Sequence, residues 1–310
     1  MSKKIIPKSL KQEVTIKEYE EFWKKDPSSK QDEEVFRDWT KNFWNSADIA
    51  EILKEHSGLE NVEFADFGCG RGLSATAFIG LLKRILINPK LKIAYTGIDG
   101  WNSADELRKT LSHLNLASIN FEKALIYDTS LKPNVFDIAT CFGVLHHTDR
   151  PAQTLGEIAR TLKSGGFIFL HCNAEFPLLR SCNENGFRKF LSDRTGSERD
   201  KIIEDLTTLG AAIAQIKEDV VIKSNIDSLG IPSGNYKMIE LLNYYIFKLY
   251  FNHRLTFDRN VHTNKDWWFP PIVDGFTKDQ LIGWLKDSSM QVIYLKSPTP
   301  SSYSIVARKS

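Results

Sequence analysis

The chain has few cysteines. Of 310 residues, four are cysteine (Cys69, Cys141, Cys172 and Cys182), and no two form a C-x-x-C pair. That spacing excludes the common structural zinc sites, so no metal is expected. It also excludes a disulfide scaffold. Cys69, Cys141 and Cys172 lie in or beside apolar runs, as free thiols of a reducing cytoplasm would, and a cytoplasmic location is expected. There is no excess of charge either: 41 Lys and Arg against 39 Asp and Glu leave a net +2. A polybasic footprint for a phosphate backbone is missing, so a nucleic-acid partner is not expected. No apolar run approaches the roughly 18 residues of a membrane helix. The run from Tyr244 to Phe251 is short and broken by Lys248. The opening MSKKIIPKSL carries charge without an apolar stretch and reads as no signal peptide. Repeats and low-complexity linkers are absent. With 42% hydrophobic and 26% charged residues, the chain has the composition of a globular protein, not a disordered one.

The pattern of elements is informative. Residues 1–60 read as helical, with an aromatic series (Phe22, Trp23, Phe36, Trp39, Phe43, Trp44), a break at Asp26-Pro27-Ser28-Ser29 and a helix from Ala47 to His56 stopped at Gly58. From Val62 short apolar strands alternate with helices. Strands are expected at Val62–Phe67, Leu91–Asp99, Ile119–Tyr127, from Phe136, and at Gly165–Cys172. Helices are expected at Leu73–Leu86, Ala104–Leu116 and Pro151–Leu162. Strands that are apolar throughout and separated by helices predict a parallel sheet covered on both faces. Residues 174–270 read as a largely helical insertion. The end of the chain returns to the α/β pattern, with a helix at Phe276–Lys286, capped by Thr277, and two closely spaced strands. The expected organisation is therefore an N-terminal helical segment (1–60), an α/β core (61–173), a helical cap (174–270) and a closing helix with a strand pair (271–310).

The strongest local signal is Asp66-Phe67-Gly68-Cys69-Gly70-Arg71-Gly72 at a strand-to-helix turn. Glycines let backbone turn sharply and approach a ligand. The spacing is G-x-G-x-G, whereas a dinucleotide site uses G-x-G-x-x-G and places its ribose acid about 20 residues on. Here Leu73 stands where that last glycine would be, and Asp99 lies farther on. A phosphate loop would need Gly-Lys-Ser/Thr. Asp66 before the loop would oppose a pyrophosphate but suits an ammonium group. Asp99 ends the second expected strand, where an acid can accept from both ribose hydroxyls. Asp128 ends the third, where it could accept from an adenine amino group. Three acids at three strand ends would line one crevice.

These residues, with Gly97-Ile98-Asp99, Phe136-Asp137-Ile138-Ala139, Gly143-Val144-Leu145-His146-His147 and Leu162-Lys163-Ser164-Gly165-Gly166 in that order, closely resemble class I S-adenosylmethionine-dependent methyltransferases of the small-molecule type. The likeness covers about Val62 to Cys172 and the closing strands. It implies a Rossmann-like, seven-stranded, mostly parallel α/β sheet with one antiparallel strand. The implied cofactor is S-adenosyl-L-methionine, leaving S-adenosyl-L-homocysteine as product. Carried over by position, Asp66, Gly68, Cys69 and Gly70 would hold the methionine part, and Asp99 with Gly100 the ribose. Tyr127 and Asp128 would frame the adenine, and Phe142 and Gly143 would pass near both. Trp101 either covers the adenine face or simply packs.

Methyl transfer from a sulfonium is an in-line displacement. Positioning can supply about 7–11 kcal/mol, whereas a general base adds only about 10²–10⁴-fold. Proximity alone can therefore suffice. The candidate bases are His146 and His147, which follow the fourth strand, and His262; His171 reads as a core histidine. The segment from Asn260 to Pro271, read as a loop, joins His147, Tyr245 and Arg254 as candidate acceptor contacts through His262, Trp267 and Trp268. The aromatic insertion is a cap that would exclude water from a compact acceptor, or else a satellite core or a homodimer contact. The expected activity is methylation of an O or N atom of a small or medium-sized organic molecule. Competing expectations are a tRNA base or protein side chain as acceptor, and a cofactor-binding but inactive partner subunit.

Overall fold

The computed structural model describes residues 8–25, 30–54 and 60–310, in two compact units. One comprises the chain up to Ala174 together with Asp274–Ser310; the other is Glu175–Val273. The expected break at Asp26–Ser29 and the helix end from His56 to Gly58 lie outside the described residues, as do the side chains of Phe36 and Trp39. Among the described residues no helix is long and apolar enough to cross a membrane.

The first unit begins with three helices, α1 (Lys8–Lys25), α2 (Lys30–Phe43) and α3 (Ser46–Ile52). Alternation follows: β1 (Asn61–Phe67), α4 (Leu73–Leu86), β2 (Lys92–Asp99), α5 (Ala104–Leu111), β3 (Ser118–Lys123), β4 (Phe136–Phe142), α6 (Pro151–Thr161) and β5 (Leu162–Asn173). After the second unit come the closing elements of the first. The seven strands are ordered β3-β2-β1-β4-β5-β9-β8, with β8 at Met290–Thr299 and β9 at Ser302–Lys309. β1 to β5 pair parallel, and β9 runs antiparallel to β5 on one side and β8 on the other. This is the Rossmann-like sheet with one antiparallel strand that the motifs imply.

Side-chain alternation explains why the sheet is apolar throughout. In β5, Phe167 and Phe169 join one core while Ile168, Leu170 and Cys172 join the other. Successive side chains point to opposite faces, and both faces are covered. Trp44, just beyond α2, is 2% exposed and anchors the first core against Phe78, Phe142, Phe169 and Tyr294. The Lys163–Gly166 stretch is a bulge: β4 advances from Phe136 to Ile138 while β5 advances from Leu162 to Phe167. Gly166 lies against the carbonyls of Lys163, Asp137 and Phe136, which would crowd a Cβ at 3.0 to 3.1 Å.

Some boundaries differ from expectation. β3 stops at Lys123, the partner of Asp99, because β2 ends there and offers no further ladder. Leu125 to Asp128 form a turn, in which the Asp128 N–H donates to the Leu125 carbonyl at 2.9 Å. Asp128 is therefore not at a strand end. α5 is also shorter than expected, its last residues tightening into a 3-10 turn.

The second unit holds α7 (Leu178–Ser192), α8 (Gly196–Ile213), β6 (Asp219–Ile222), β7 (Gly234–Lys237), α9 (Met238–Leu241) and α10 (Phe257–Trp268). β6 and β7 pair antiparallel, a hairpin that the helical expectation for 174–270 omitted. Another departure is that Asn260 to Trp268 is not loop. It belongs to α10, started by Thr256, whose hydroxyl accepts from the Arg259 N–H at 3.2 Å. The unit has its own core of Leu191, Ile203, Leu206, Leu249, Val261 and Trp268. The last helix, α11 (Lys278–Asp287), returns the chain to the first unit, with Thr277 and Gln280 forming a capping box.

Candidate functional site

The strand order reverses at β1, which has β2 on one side and β4 on the other. Open α/β sheets place their ligand crevice outside the strand ends at such a point. The glycine loop lies there. Gly68, Gly70 and Gly72 have φ of 76°, 49° and 81°, all left-handed. The loop is pinned by β2: the Gly68 and Cys69 N–H groups donate to the Ile98 carbonyl at 2.8 and 3.1 Å. The Gly70 N–H donates to Asp99 Oδ2 at 2.8 Å.

The glycines do different jobs. A Cβ on Gly68 would run into the Val144 side chain, so Gly68 is required by packing. A Cβ on Gly70 would meet nothing within 4 Å, and the same holds at Gly143, where φ is 73°. These two left-handed glycines border open space at the ends of β1 and β4.

Asp66 is buried, and both of its oxygens are engaged. Oδ2 accepts from Tyr95 at 2.9 Å and Oδ1 from Thr140 at 2.7 Å. Burial pushes its carboxyl up to about 6 against the pull of these two hydroxyls. Asp99 is half-buried. Besides Gly70 it accepts from the Trp101 N–H at 3.3 Å. Burial pushes it up to about 6 as well, partly offset by backbone donors from Gly70, Trp101 and Gly100. A carboxylate offers about four lone-pair sites, so Asp99 retains capacity to accept.

α1 crosses these strand ends. Ile16 stands on Gly100, so that a Cβ there would lie 2.7 Å from its Cδ1. The Gln12 side chain bridges the loop after β4, donating to the His147 carbonyl at 3.3 Å and accepting from the Asp149 N–H at 2.9 Å. Tyr19 Oη lies 2.9 Å from His147 Nε2. Arg71 reaches the Trp23 carbonyl at 3.4 Å. Sequence reasoning missed Gln12, Ile16 and Tyr19, because only their distance from the glycine loop along the chain was visible. It also missed Asp149, whose Oδ1 is buried with no hydrogen-bond partner among the described residues; Thr15 Oγ1 on α1 is in the same condition.

The remaining expected residues divide. His146 Nδ1 accepts from the Asn173 N–H at 3.2 Å, so the proton of the neutral ring is on Nε2. Burial and then the neighbouring histidines hold it well below the ordinary histidine range. Its carbonyl accepts from Asp274, tying β4 to the returning chain. His171 is buried and stacks on Phe43 at 4.0 Å. Tyr127 is buried under the Arg150 guanidinium, which lies 5.0 Å from its ring centre, and Asp128 is exposed in its turn. The Trp101 ring is enclosed at 2% exposure. The Phe142 ring packs on Trp44 and Phe78, leaving the backbone of Gly143 at the crevice.

Tyr245, Arg254, His262, Trp267 and Trp268 all belong to the second unit. Tyr245 is core there, packed with Ile231 and Leu241 and edge-on to Tyr236 at 5.5 Å. Trp268 is 2% exposed against Phe187 and Phe247. Arg254 is exposed, and His262 is half-buried on α10. Trp267 lies beside Arg180, Glu184 and Lys248.

Residues 65–170 match the family described as "Methyltransferase domain". The chain is similar to a ubiquinone biosynthesis O-methyltransferase of Colwellia psychrerythraea, 27% identical over 201 residues, which cover 62% of this chain and 75% of that protein. It is also similar to a tRNA U34 carboxymethyltransferase of Wolinella succinogenes, 29% identical over 127 residues. That match covers 41% of this chain and 43% of the relative, so the chain spans under half of that protein's length. Among solved structures, a SAM-dependent methyltransferase from Aquifex aeolicus is 10% identical with a TM-score of 0.45, covering 94% of this chain and 98% of that one.

Proposed function

We propose that the chain, whose residues 65–170 match a methyltransferase domain, is a class I S-adenosylmethionine-dependent methyltransferase that methylates an O or N atom of a small or medium-sized organic acceptor. The observation that carries this reading is the open space bordered by the left-handed Gly70 and Gly143 beside a carboxylate, Asp99, that still has acceptor capacity. The residues fit the cofactor: an acceptor for ribose hydroxyls, backbone with no side chain in the way, and an orphaned buried oxygen on Asp149. When bound, S-adenosylmethionine supplies a methyl group already activated as a sulfonium.

The roles of the protein's own groups follow. Asp99 accepts the ribose hydroxyls and, through the Gly70 N–H, holds the loop in shape. Asp149 Oδ1, in place of the displaced Asp128, accepts from the adenine amino group beside Tyr127. Asp66 fixes the floor of the loop through Tyr95 and Thr140. α1 closes the strand ends against water, and Tyr19 with His147 takes up the acceptor proton where the acceptor carries one. His146 braces the fold. Most of the rate comes from positioning and exclusion of water.

A tRNA acceptor is the second reading, supported by relatives with that printed function. The near-zero net charge supports the first. Incubating the protein with a labelled methyl donor and, in parallel, a metabolite extract or total RNA separates the two. Label in an extract compound, insensitive to salt between 50 and 200 mM, is the expected result. Label in RNA with a steep loss over that range would replace it. Donor binding with no label in either arm would favour the inactive-partner reading.

A further inference from the structure

Arg180, on α7 of the second unit, is wholly buried, at 0% exposure. Only its Nε is hydrogen-bonded, donating to Glu184 Oε1 at 2.6 Å one turn along the helix. Nη1 and Nη2 have no hydrogen-bond partner among the described residues. A buried guanidinium with two unmet donors is costly unless something completes it. Glu184 does not complete it here: its Oε1 reaches only Nε, and its Oε2 accepts from Trp267 Nε1 at 3.0 Å and lies 3.7 Å from Arg188 Nη2.

The surroundings add positive charge and flat apolar walls. Lys248 Nζ lies 4.5 Å from the centre of the Trp267 ring. Burial, and then the charge of Arg180, push its ammonium down to about 7, against the opposing pull of Glu184 and Asp266. The Arg180 guanidinium carbon stands 4.5 Å from the Phe176 ring centre and 4.9 Å from that of Trp267. Three cations, Arg180, Arg188 and Lys248, thus face two carboxylates, Glu184 and Asp266. The cluster offers a planar fork of free N–H groups on Arg180, two aromatic rings beside the fork and, in Lys248, an amine that an arriving anion would hold in its charged form. A planar oxyanion on a flat apolar body supplies what is missing, because the guanidinium fork matches a carboxylate with two parallel hydrogen bonds. Entry requires a side chain to move aside, and the flexible four-carbon stem of Lys248 suits that role.

We propose that Glu175–Val273 contains an anion-binding site in which Arg180 grips the carboxylate of a small aromatic acid, with Lys248 as the second cation and Phe176 and Trp267 as its walls. The proposal stands independently of methyl transfer. Its test is a titration of the full chain, without methyl donor, by benzoate, phenyl phosphate and the neutral benzamide, read by tryptophan fluorescence and by Tm. Benzoate is expected to saturate the signal and raise Tm, and benzamide to bind at least tenfold more weakly. Arg180→Met and Lys248→Met should each weaken benzoate at least tenfold. Should Arg180→Met fail to fold, because Glu184 Oε1 loses the donor it has at Arg180 Nε, Lys248→Met decides. Equal binding of benzoate and benzamide, no binding of either, or native affinity in the variants would show that the aromatic rings alone satisfy Arg180, and would overturn the site. Phenyl phosphate binding more tightly than benzoate would overturn the carboxylate assignment. A separate titration with S-adenosylmethionine on the same sample keeps failure of this site distinct from failure of the cofactor reading.

Discussion

Asp99 holds the glycine loop, the proposed function gives it a ribose to receive as well, and its ionisation would link the two tasks. Its folded carboxyl sits near 6, above the unfolded value. The stability it contributes is therefore fully present below the ordinary carboxylate range and is lost as pH rises through about 6. Cofactor affinity has the opposite sign, because the ionised carboxylate is the better acceptor. Affinity should climb between pH 5 and 7 with a midpoint near 6, and Asp99→Asn should flatten that profile in calorimetry. Asp149→Asn should weaken cofactor binding about tenfold, whereas Asp128→Asn, in an exposed turn, should leave it unchanged. Tyr19→Phe and His147→Ala should lower kcat by similar factors and fail to add when combined, since they remove one hydrogen-bonded pair. Additive losses would mean the two act separately. His171, held at about 3 by burial, must take up a proton on unfolding in acid. Its contribution is present above about 6.5 and lost as pH falls towards 3. His171→Gln should make the urea midpoint less steep in pH between 6 and 4, by up to about 1.4 kcal/mol per pH unit.

At the scale of elements, the glycine loop separates two kinds of constraint. Gly68→Ala meets Val144 and adopts a left-handed backbone, which together should cost roughly 2–5 kcal/mol of stability. Val144→Ala should restore part of that loss. Gly70→Ala should cost only the backbone part, about 1–2 kcal/mol, yet abolish cofactor binding by filling open space. Thermal melts with parallel cofactor titrations check both. Much of this was legible in the sequence because it is local: a buried apolar strand, a run of glycines and a helix stand next to one another from Val62 to Leu86. One boundary differs because its deciding partner is distant. β3 ends at Lys123 because β2 ends at Asp99, and nothing in Ala124–Tyr127 announces that. The β6–β7 hairpin did leave a signal, the β-branched run Val220-Val221-Ile222, which the helical texture on either side obscured. The polar and aromatic composition of Asn260 to Trp268 reads as a loop, although Thr256, the N-cap of the helix, is present in the sequence.

At the scale of the molecule, the expected seven-stranded, mostly parallel sheet with one antiparallel strand is what the structure has, while the candidate site residues come together only in part. The glycine loop, Asp66, Asp99 and Gly143 come together because the order β2-β1-β4 gathers their strand ends. α1 joins them from far along the chain, and no sequence pattern foretold that Ile16 would stand on Gly100. The aromatic acceptor candidates of the second unit proved partly to be its core, since Tyr245 and Trp268 are the apolar mass that lets about a hundred residues pack by themselves. The near-balanced charge, which at first only weakened a nucleic-acid partner, now accompanies a site built on carboxylates and glycines. The most direct measurement is isothermal titration of the native protein and of Asp99→Ala with S-adenosyl-L-homocysteine at pH 7.5. Saturable one-to-one binding to the native protein, at least thirtyfold weaker in a folded Asp99→Ala, is the predicted result. No heat with the native protein, or equal affinity in the variant, would contradict it.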